Sequence, residues 1–337
     1  VNSFGKLFRI HIFGESHGQS VGIVIDGCPA GLSLTEDDLL ADLERRKGGK
    51  QKGTTPRQEA DYPFFKSGLF NGKTTGFPIT ILFENNNTRS EDYNKQRSIP
   101  RPGHADWVAH QKFGGHEDYR GGGHFSARLT TGLVAAGAIA KKLMPEINVQ
   151  ANVTEIGGET DLEKGLQKAI DAKDSVGGIV ECRVTGVPVG LGEPYFESVE
   201  SQIAQMMFTI PAVRGVEFGT GFPAAKMFGS EHNDAIENMS GKTTTNHAGG
   251  IVGGITNGNE IVFRIAIKPT SSTPKEQTSL NWDTEQQETF SIKGRHDLCV
   301  ALRAPVIVEA ATAIVLADLM LQEQHIKRVL PPIPDGE

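Results

Sequence analysis

Three short stretches place histidine beside glycine: GESHG at 14–18, RPGHAD at 101–106 and GGGHFSAR at 121–128. Glycine lets the main chain approach a ligand closely, and histidine is the side chain whose unperturbed pKa lies nearest neutrality. The pairing points to proton transfer in tight loops. His17 follows Glu15 and Ser16, so a carboxylate and a hydroxyl are at hand to orient its imidazole. His104 has Arg101 and Asp106 as neighbours, and His296 sits between Arg295 and Asp297, so both loops combine a cation, an imidazole and a carboxylate. Three such loops suggest acid–base chemistry on an anionic substrate. His116, His124 and His247 also fall in glycine-rich or polar segments. Each histidine taken alone is more commonly a structural hydrogen-bonding group, and it is the clustering that favours catalysis. No H-E-x-x-H is present and no cysteine accompanies the early histidines, so a metal site is not expected.

Other stretches suit an anion. YRGGGHFSAR offers three glycines before a helix, where free N–H groups and the helix dipole favour phosphate, with Arg120 and Arg128 flanking. The competing reading is a helix start capped by its own Ser126 hydroxyl. KPTSS, from Lys268 to Ser272, adds an ammonium and several hydroxyls. The segment ERRKGGKQKGTTPR carries Arg45, Arg46, Lys47, Lys50, Lys52 and Arg57 against Glu44 alone, and reads either as an anion site or as a solvated basic loop.

Composition narrows the class. A formal net charge of -7 argues against a general nucleic-acid binder. Cys28, Cys182 and Cys299 are odd in number and far apart, which fits a reducing compartment with no disulfide framework. The N-terminal stretch lacks the apolar core of a signal peptide, and no run approaches the roughly 20 apolar residues of a membrane span. A cytoplasmic protein without membrane or nucleic-acid partners is expected. The 40 glycines lie scattered through strand-like sequence, which favours ordered loops over a linker.

The elements that position these loops follow a repeated order. VIDGCPAGLSLTEDDLLADL and RVTGVPVGLGEPYFESVESQI both read strand, turn, helix, with Gly27, Pro29, Gly31 and Leu32 matching Gly186, Pro188, Gly190 and Leu191 at a constant displacement of 159 residues. A Ser33/Glu36 capping box is expected to open the first helix. TTGFPITILFEN and GGIVGGITNGNEIVFRIAIKP read as strands, the latter as a hairpin turning at Asn257-Gly258. Each half ends in a helix that is apolar on nearly all sides, as burial between two layers requires. The expectation is an α+β body, one domain over 1–337, with helices packed between two antiparallel sheets and pseudo-repeat halves of about 1–145 and 175–325. A doubly wound parallel fold is disfavoured because neither G-x-G-x-x-G after a strand nor a P-loop is present.

At this point the chain resembles the chorismate synthase family from end to end. The resemblance rests on GESHGQSVGIVIDGCP from Gly14, GHFSARLTTGLVAAGAI from Gly123 and RHDLCVALRAPVIVEAA from Arg295, together with RPGHAD, NHAGGIVGGITNG from Asn246 and KPTSS. It implies conversion of 5-enolpyruvylshikimate 3-phosphate to chorismate by 1,4-elimination of phosphate and the C6 hydrogen. The reaction needs reduced FMN without net redox change. The same resemblance implies a homotetramer and a sandwich of helices between two antiparallel sheets. His17 would protonate the departing phosphate, His104 would adjust the protonation of the reduced flavin, and Asp297 would help to remove the C6 hydrogen.

The resemblance further assigns His124, Phe125, Ser126, Pro211, Ala212, Gly253, Lys268, Pro269, Thr270, Ser271, Ser272 and Arg295 to the cofactor. Ser16, Arg46, Lys52 and Arg128 go to substrate phosphate or NADP. Departures from the common family pattern are His124 and Phe125 where an arginine and a serine are usual, Lys52 for arginine, and Leu298 for proline. No reductase domain is evident, so an external flavin reductant is expected. A flavin-dependent oxidoreductase and a non-catalytic flavin- or phosphate-binding regulatory module are the other functions this sequence accommodates.

Overall fold

The computed structural model describes residues 1–49, 52–56, 59–87, 97–292 and 296–331. Two antiparallel sheets form its frame. The first contains β1 (Ser3–Phe4), β2 (Arg9–Gly14), β3 (Ser20–Asp26), β4 (Phe64–Ser67) and β7 (Ile79–Glu84), in the order β1-β2-β3-β7-β4. A small hairpin of β5 (Leu69–Phe70) and β6 (Lys73–Thr74) separates the last two. The second sheet has the order β10-β13-β9-β8, from β8 (Asn148–Ile156), β9 (Gly178–Thr185), β10 (Val213–Phe218) and β13 (Ile261–Ile267). β7 and β13 alternate between buried residues and part-buried or exposed ones, the period-two pattern of a sheet with one face on the core.

The helices are α1 (Asp37–Arg46), α2 (Asp106–Phe113), α3 (Thr130–Leu143), α4 (Leu162–Ala172), α5 (Val199–Met207) and α6 (Ala304–Gln322). Helix α3 packs on β3, α6 packs on β8 and β9, and the two helices pack on each other, which places them between the sheets. Their crossing is close: a Cβ at Gly137 would lie 2.3 Å from the Ala310 Cα. The segment Val300–Gln322 is long and apolar enough to cross a membrane, yet 89% of that window is buried inside the fold, so it is a core helix here. Glu309 and Asp318 are buried on α6 and fully engaged. Glu309 accepts from Arg45, Lys141 and the Ala151 amide, and Asp318 accepts from the amides of Lys6, Leu7 and Phe8.

The two turns matched in sequence carry the same hydrogen bonds. Leu32 N donates to Thr74 Oγ1, which donates to Pro29 O. Leu191 N donates to Thr256 Oγ1, which donates to Pro188 O. Gly27, Gly31, Gly186 and Gly190 all have positive φ.

Two local expectations change. The Ser33/Glu36 box does not form, because α1 begins at Asp37 and the Asp38 carboxylate instead accepts from Thr35 N at 2.8 Å. The hairpin is β11 (Ile251–Val252) with β12 (Ile255–Thr256), turning at Gly253-Gly254, where both φ are positive. Asn257-Gly258 merely connects it to β13, and the Asn257 side chain accepts from Asn259 N. Two glycines adopt the left-handed turn more easily than Asn-Gly and so take it. A last hairpin joins β14 (Gln277–Asn281) to β15 (Gln286–Phe290).

Candidate active site

A cleft of about 670 Å³ is lined by β1 and β2 of the first sheet and by helices and loops from both halves of the chain. His17, on the turn between β2 and β3, is buried against it. The glycine triplet Gly121-Gly122-Gly123 holds left-handed φ throughout. A Cβ at Gly121 would fall 2.4 Å from His17 Cδ2, and one at Gly122 would fall 3.5 Å from His104 Cε1. The histidine-beside-glycine pattern is therefore completed across space: the triplet passes between two imidazoles and leaves room for both.

His104 precedes α2. Its Nδ1 lies 2.6 Å from Asp106 Oδ1, and the Arg101 guanidinium grips the same carboxylate with Nε at 2.7 Å and Nη2 at 2.8 Å. Burial works to raise the Asp106 carboxyl, but the hydrogen bonds from Arg101 and His104 outweigh it and hold the group well below the usual carboxylate range. Nε2 is left as the His104 nitrogen available for chemistry. Arg101 also donates to Ser272 Oγ at 3.1 Å, Lys268 Nζ donates to Ser271 Oγ at 2.7 Å, and Ser271 Oγ donates to Gly103 O at 2.8 Å. These bonds zip KPTSS to RPGHAD. Burial and the nearby Arg214 lower the Lys268 ammonium from its ordinary value.

Asp297 enters the cleft from the loop before α6. It accepts from Thr55 N at 2.8 Å and from Arg303 Nη1 at 2.9 and 3.2 Å. Arg303 Nε donates to Arg46 O, capping the C-terminus of α1. Beside it, the buried Asp61 is shared by Arg46 and Arg128, and Arg128 also donates to Asn85 Oδ1 and Glu84 O. Asn85 in turn donates to the carbonyls of Glu15 and Gly18, which ties the His17 turn to Arg128. His296 also borders the cleft, and burial followed by the charge of Arg101 pushes its imidazole down to about 4. Arg46 Nε and Thr270 Oγ1, both on lining residues, are buried without a hydrogen-bond partner among the described residues.

The cleft gathers most of the residues singled out in the sequence. His17, Arg46, His104, His124, Phe125, Ser126, Arg128, Pro211, Ala212, Lys268, Thr270, Ser271, Ser272, His296 and Asp297 all line it. Ala212 does so with a left-handed φ of 75°. Ser126 Oγ accepts from Arg128 N, the capping role, and His124 places Nδ1 2.8 Å from Gly14 O and Nε2 3.0 Å from Asn2 Oδ1.

Ser16, Lys52, Gly253 and Pro269 do not line the cleft. Ser16 is buried behind the triplet, Lys52 Nζ donates to Gln167, and Gly253 sits in the β11–β12 turn. Arg120 pairs with Asp118 instead, and Arg45 with Glu309, so among the described basic side chains of the basic segment only Arg46 and Lys47 line the cleft. Lys50, Arg57 and Arg295 lie outside the described residues. Asp61, Thr55 and Arg303 escaped sequence reasoning. Only Arg303, six residues beyond Asp297 in a signature stretch, carried a usable signal. Among the described residues, no group of three His, Cys, Asp or Glu converges to hold a metal.

Fold and cleft together define an α+β protein whose cleft gathers imidazoles, carboxylates and guanidiniums. A profile of the family described as chorismate synthase matches residues 8–321. A chorismate synthase of Chitinophaga pinensis is 67% identical over 330 residues, 98% of this chain and 99% of that protein. One of Dehalococcoides mccartyi is 45% identical over 98% and 99% of the two chains. A solved crystal structure of chorismate synthase superposes with a TM-score of 0.72 at 28% identity, covering 95% of this chain and 93% of the other. The chain belongs to the chorismate synthase family.

Proposed function

We propose that this chain eliminates phosphate and the C6 hydrogen from 5-enolpyruvylshikimate 3-phosphate in an anti-1,4 sense to give chorismate, with His17, His104 and Asp297 as its catalytic groups. The product feeds aromatic amino-acid biosynthesis. The observation that carries the residue assignment is the convergence of two imidazoles, one carboxylate and the Arg46–Arg128 pair on a single cleft. The guanidiniums hold the phosphate, and His17 delivers a proton to the departing group. Asp297, clasped by Arg303 and the Thr55 amide, is oriented as a carboxylate base for the C6 proton. His104 moves a proton through Nε2 on the cofactor side.

The cleft fits a flat anionic cofactor. Leu133, Met206, Pro211 and Ala212 offer apolar wall, and the unpartnered Thr270 hydroxyl with Lys268, Ser271 and Ser272 offers polar edge. Reduced FMN, when bound there, supplies electron density to the substrate without net redox change. We further read Phe125, Ser126 and His124 as cofactor contacts, with reductant supplied from outside the chain.

We read the two sheets as related halves, the second beginning at β8, on the strength of their matching turns and their strand orders β2-β3-β7-β4 and β8-β9-β13-β10. Homotetramer assembly is supported by the solvent-facing Tyr195, Phe196, Phe222, Phe228, Ile236 and Met239.

The test is anaerobic phosphate release with catalytic reduced FMN and an oxidised control. Many turnovers per flavin, with the reduced form alone, support the lyase. Stoichiometric flavin consumption favours an oxidoreductase, and tight flavin binding without release favours a binding module. His17→Ala is expected to slow release at least about tenfold with flavin affinity retained, and unchanged turnover rejects its acid role.

A further inference from the structure

Behind the glycine triplet lies a second cavity, of about 50 Å³. It shares Arg101, His104, Ala105 and Phe125 with the main cleft, and His110, Glu117 and Trp282 are in its wall. Its volume suits a few water molecules. Among its carboxylates, Asp106 is bound by Arg101 and Asp118 by Arg120, which leaves Glu117. Glu117 Oε2 is buried without a hydrogen-bond partner among the described residues, an arrangement that a cavity water would relieve. Glu117 Oε1 lies 3.4 Å from His110 Nδ1. The His110 ring is one-third exposed and stacks on Trp282 with centroids 4.6 Å apart. Arg97, over the Tyr119 ring, and Arg101 are the cations facing this group, and Tyr119 is its remaining titratable neighbour.

We propose that this cavity is a proton passage between solvent and His104, with Glu117 as the carrier and His110 as the outer station. The inference rests on His104 being an acid–base group. When cofactor and substrate fill the main cleft, His104 is still reached from behind. A proton taken up from solvent by His110 passes from Nδ1 to Glu117 Oε1, and Oε2 releases one through cavity water to His104 Nε2. Each transfer leaves His110 as its other tautomer and the Glu117 proton on its other oxygen, so a flip of the imidazole and a rotation of the carboxyl restore the starting state, and the same route run backwards discharges a proton. Glu117 and His110 are thus positioning residues for proton supply and touch no reacting atom.

The experiment compares first-turnover and steady-state phosphate release in wild type, Glu117→Gln and His110→Phe, a replacement that retains a ring against Trp282. The first turnover is expected within about twofold of wild type. Steady-state turnover is expected to fall about tenfold, with recovery on adding a small diffusible buffer such as imidazole. A second readout needs no turnover: NMR of the chain labelled with 15N-histidine, with oxidised FMN filling the main cleft, where exchange of the His104 imidazole proton with solvent should slow in Glu117→Gln. Unchanged steady-state turnover or unchanged exchange overturns the passage. Equal loss in both kinetic phases without buffer recovery also overturns it, because that pattern marks a structural role. His104→Ala separates the two levels: wild-type turnover there refutes the acid–base reading of His104, whereas an inactive His104→Ala beside a normal Glu117→Gln refutes the passage alone.

Discussion

Asp61→Asn tests whether the arginine pair in the cleft is held as the structure implies. The Asp61 side chain is 1% exposed, and its partners Arg46 and Arg128 are 5% and 4% exposed. Removing one partner of a buried ion pair costs about 3–5 kcal/mol, because the remaining charges lose their compensation. Asparagine keeps one acceptor oxygen, so the lower end, about 3 kcal/mol, is expected, against a total stability of about 5–15 kcal/mol. The melting temperature should fall by about 4 °C at pH 7, since the unfolding entropy of a 337-residue chain is about 0.7 kcal/mol/K. Replacing Arg128 by Met in the same background should recover part of the loss, since an unpaired buried charge leaves with it.

The pH dependence has a defined sign. Burial raises the Asp61 carboxyl, but the charges of Arg46 and Arg128 prevail and set it below its ordinary value. Its stabilisation is full above about pH 4, the unfolded carboxylate value, and is lost as pH falls through the lower folded value. The variant should therefore show a shallower acid limb in melts recorded from pH 7 downwards. A drop under about 2 °C at pH 7 with an unaltered acid limb would refute the reasoning.

Gly121→Ala should cut phosphate release at least about tenfold, since the new Cβ meets the His17 ring at 2.4 Å and φ is +59°, a strain of about 1–3 kcal/mol; wild-type kinetics would show that His17 need not stay where it is. Arg101→Lys keeps the charge but loses the fork on Asp106 and the bonds to Ser272 and His104. A fall in kcat/KM of at least about tenfold is expected, and a value within twofold of wild type would remove Arg101 from the positioning network. Burial pushes the Cys28 thiol up to about 12 and raises Cys182 and Cys299 as well. A chromogenic disulfide reagent at pH 8 should label none of them in the native protein and all three after denaturation; prompt native labelling would contradict their burial.

What the sequence made legible was local. The Arg101, His104 and Asp106 constellation lies within six residues, and the alternation in β7 and β13 needs only neighbouring side chains to be read. The hidden parts join distant segments. Asp61 binds Arg128 across 67 positions, and Thr55 donates to Asp297 across 242. No periodicity encodes such meetings. The last helix was legible as apolar and buried, but not how it tolerates its two acids: Glu309 and Asp318 are satisfied by Arg45, Lys141 and backbone amides from other elements. The capping box failed because a second carboxylate, Asp38, competed for the same helix end and won.

The bond from Arg303 to the Arg46 carbonyl makes one guanidinium hold both the end of α1 and the carboxylate of Asp297. Helix α1 follows the first sheet's β3, whereas Arg303 stands at the head of α6, which packs on the second sheet. Chemistry at this seam is consequently a readout of whole-chain assembly. A half-folded molecule loses the Asp297 clasp and the hold on the end of α1 together, so neither sheet, separated from the other, keeps this part of the cleft.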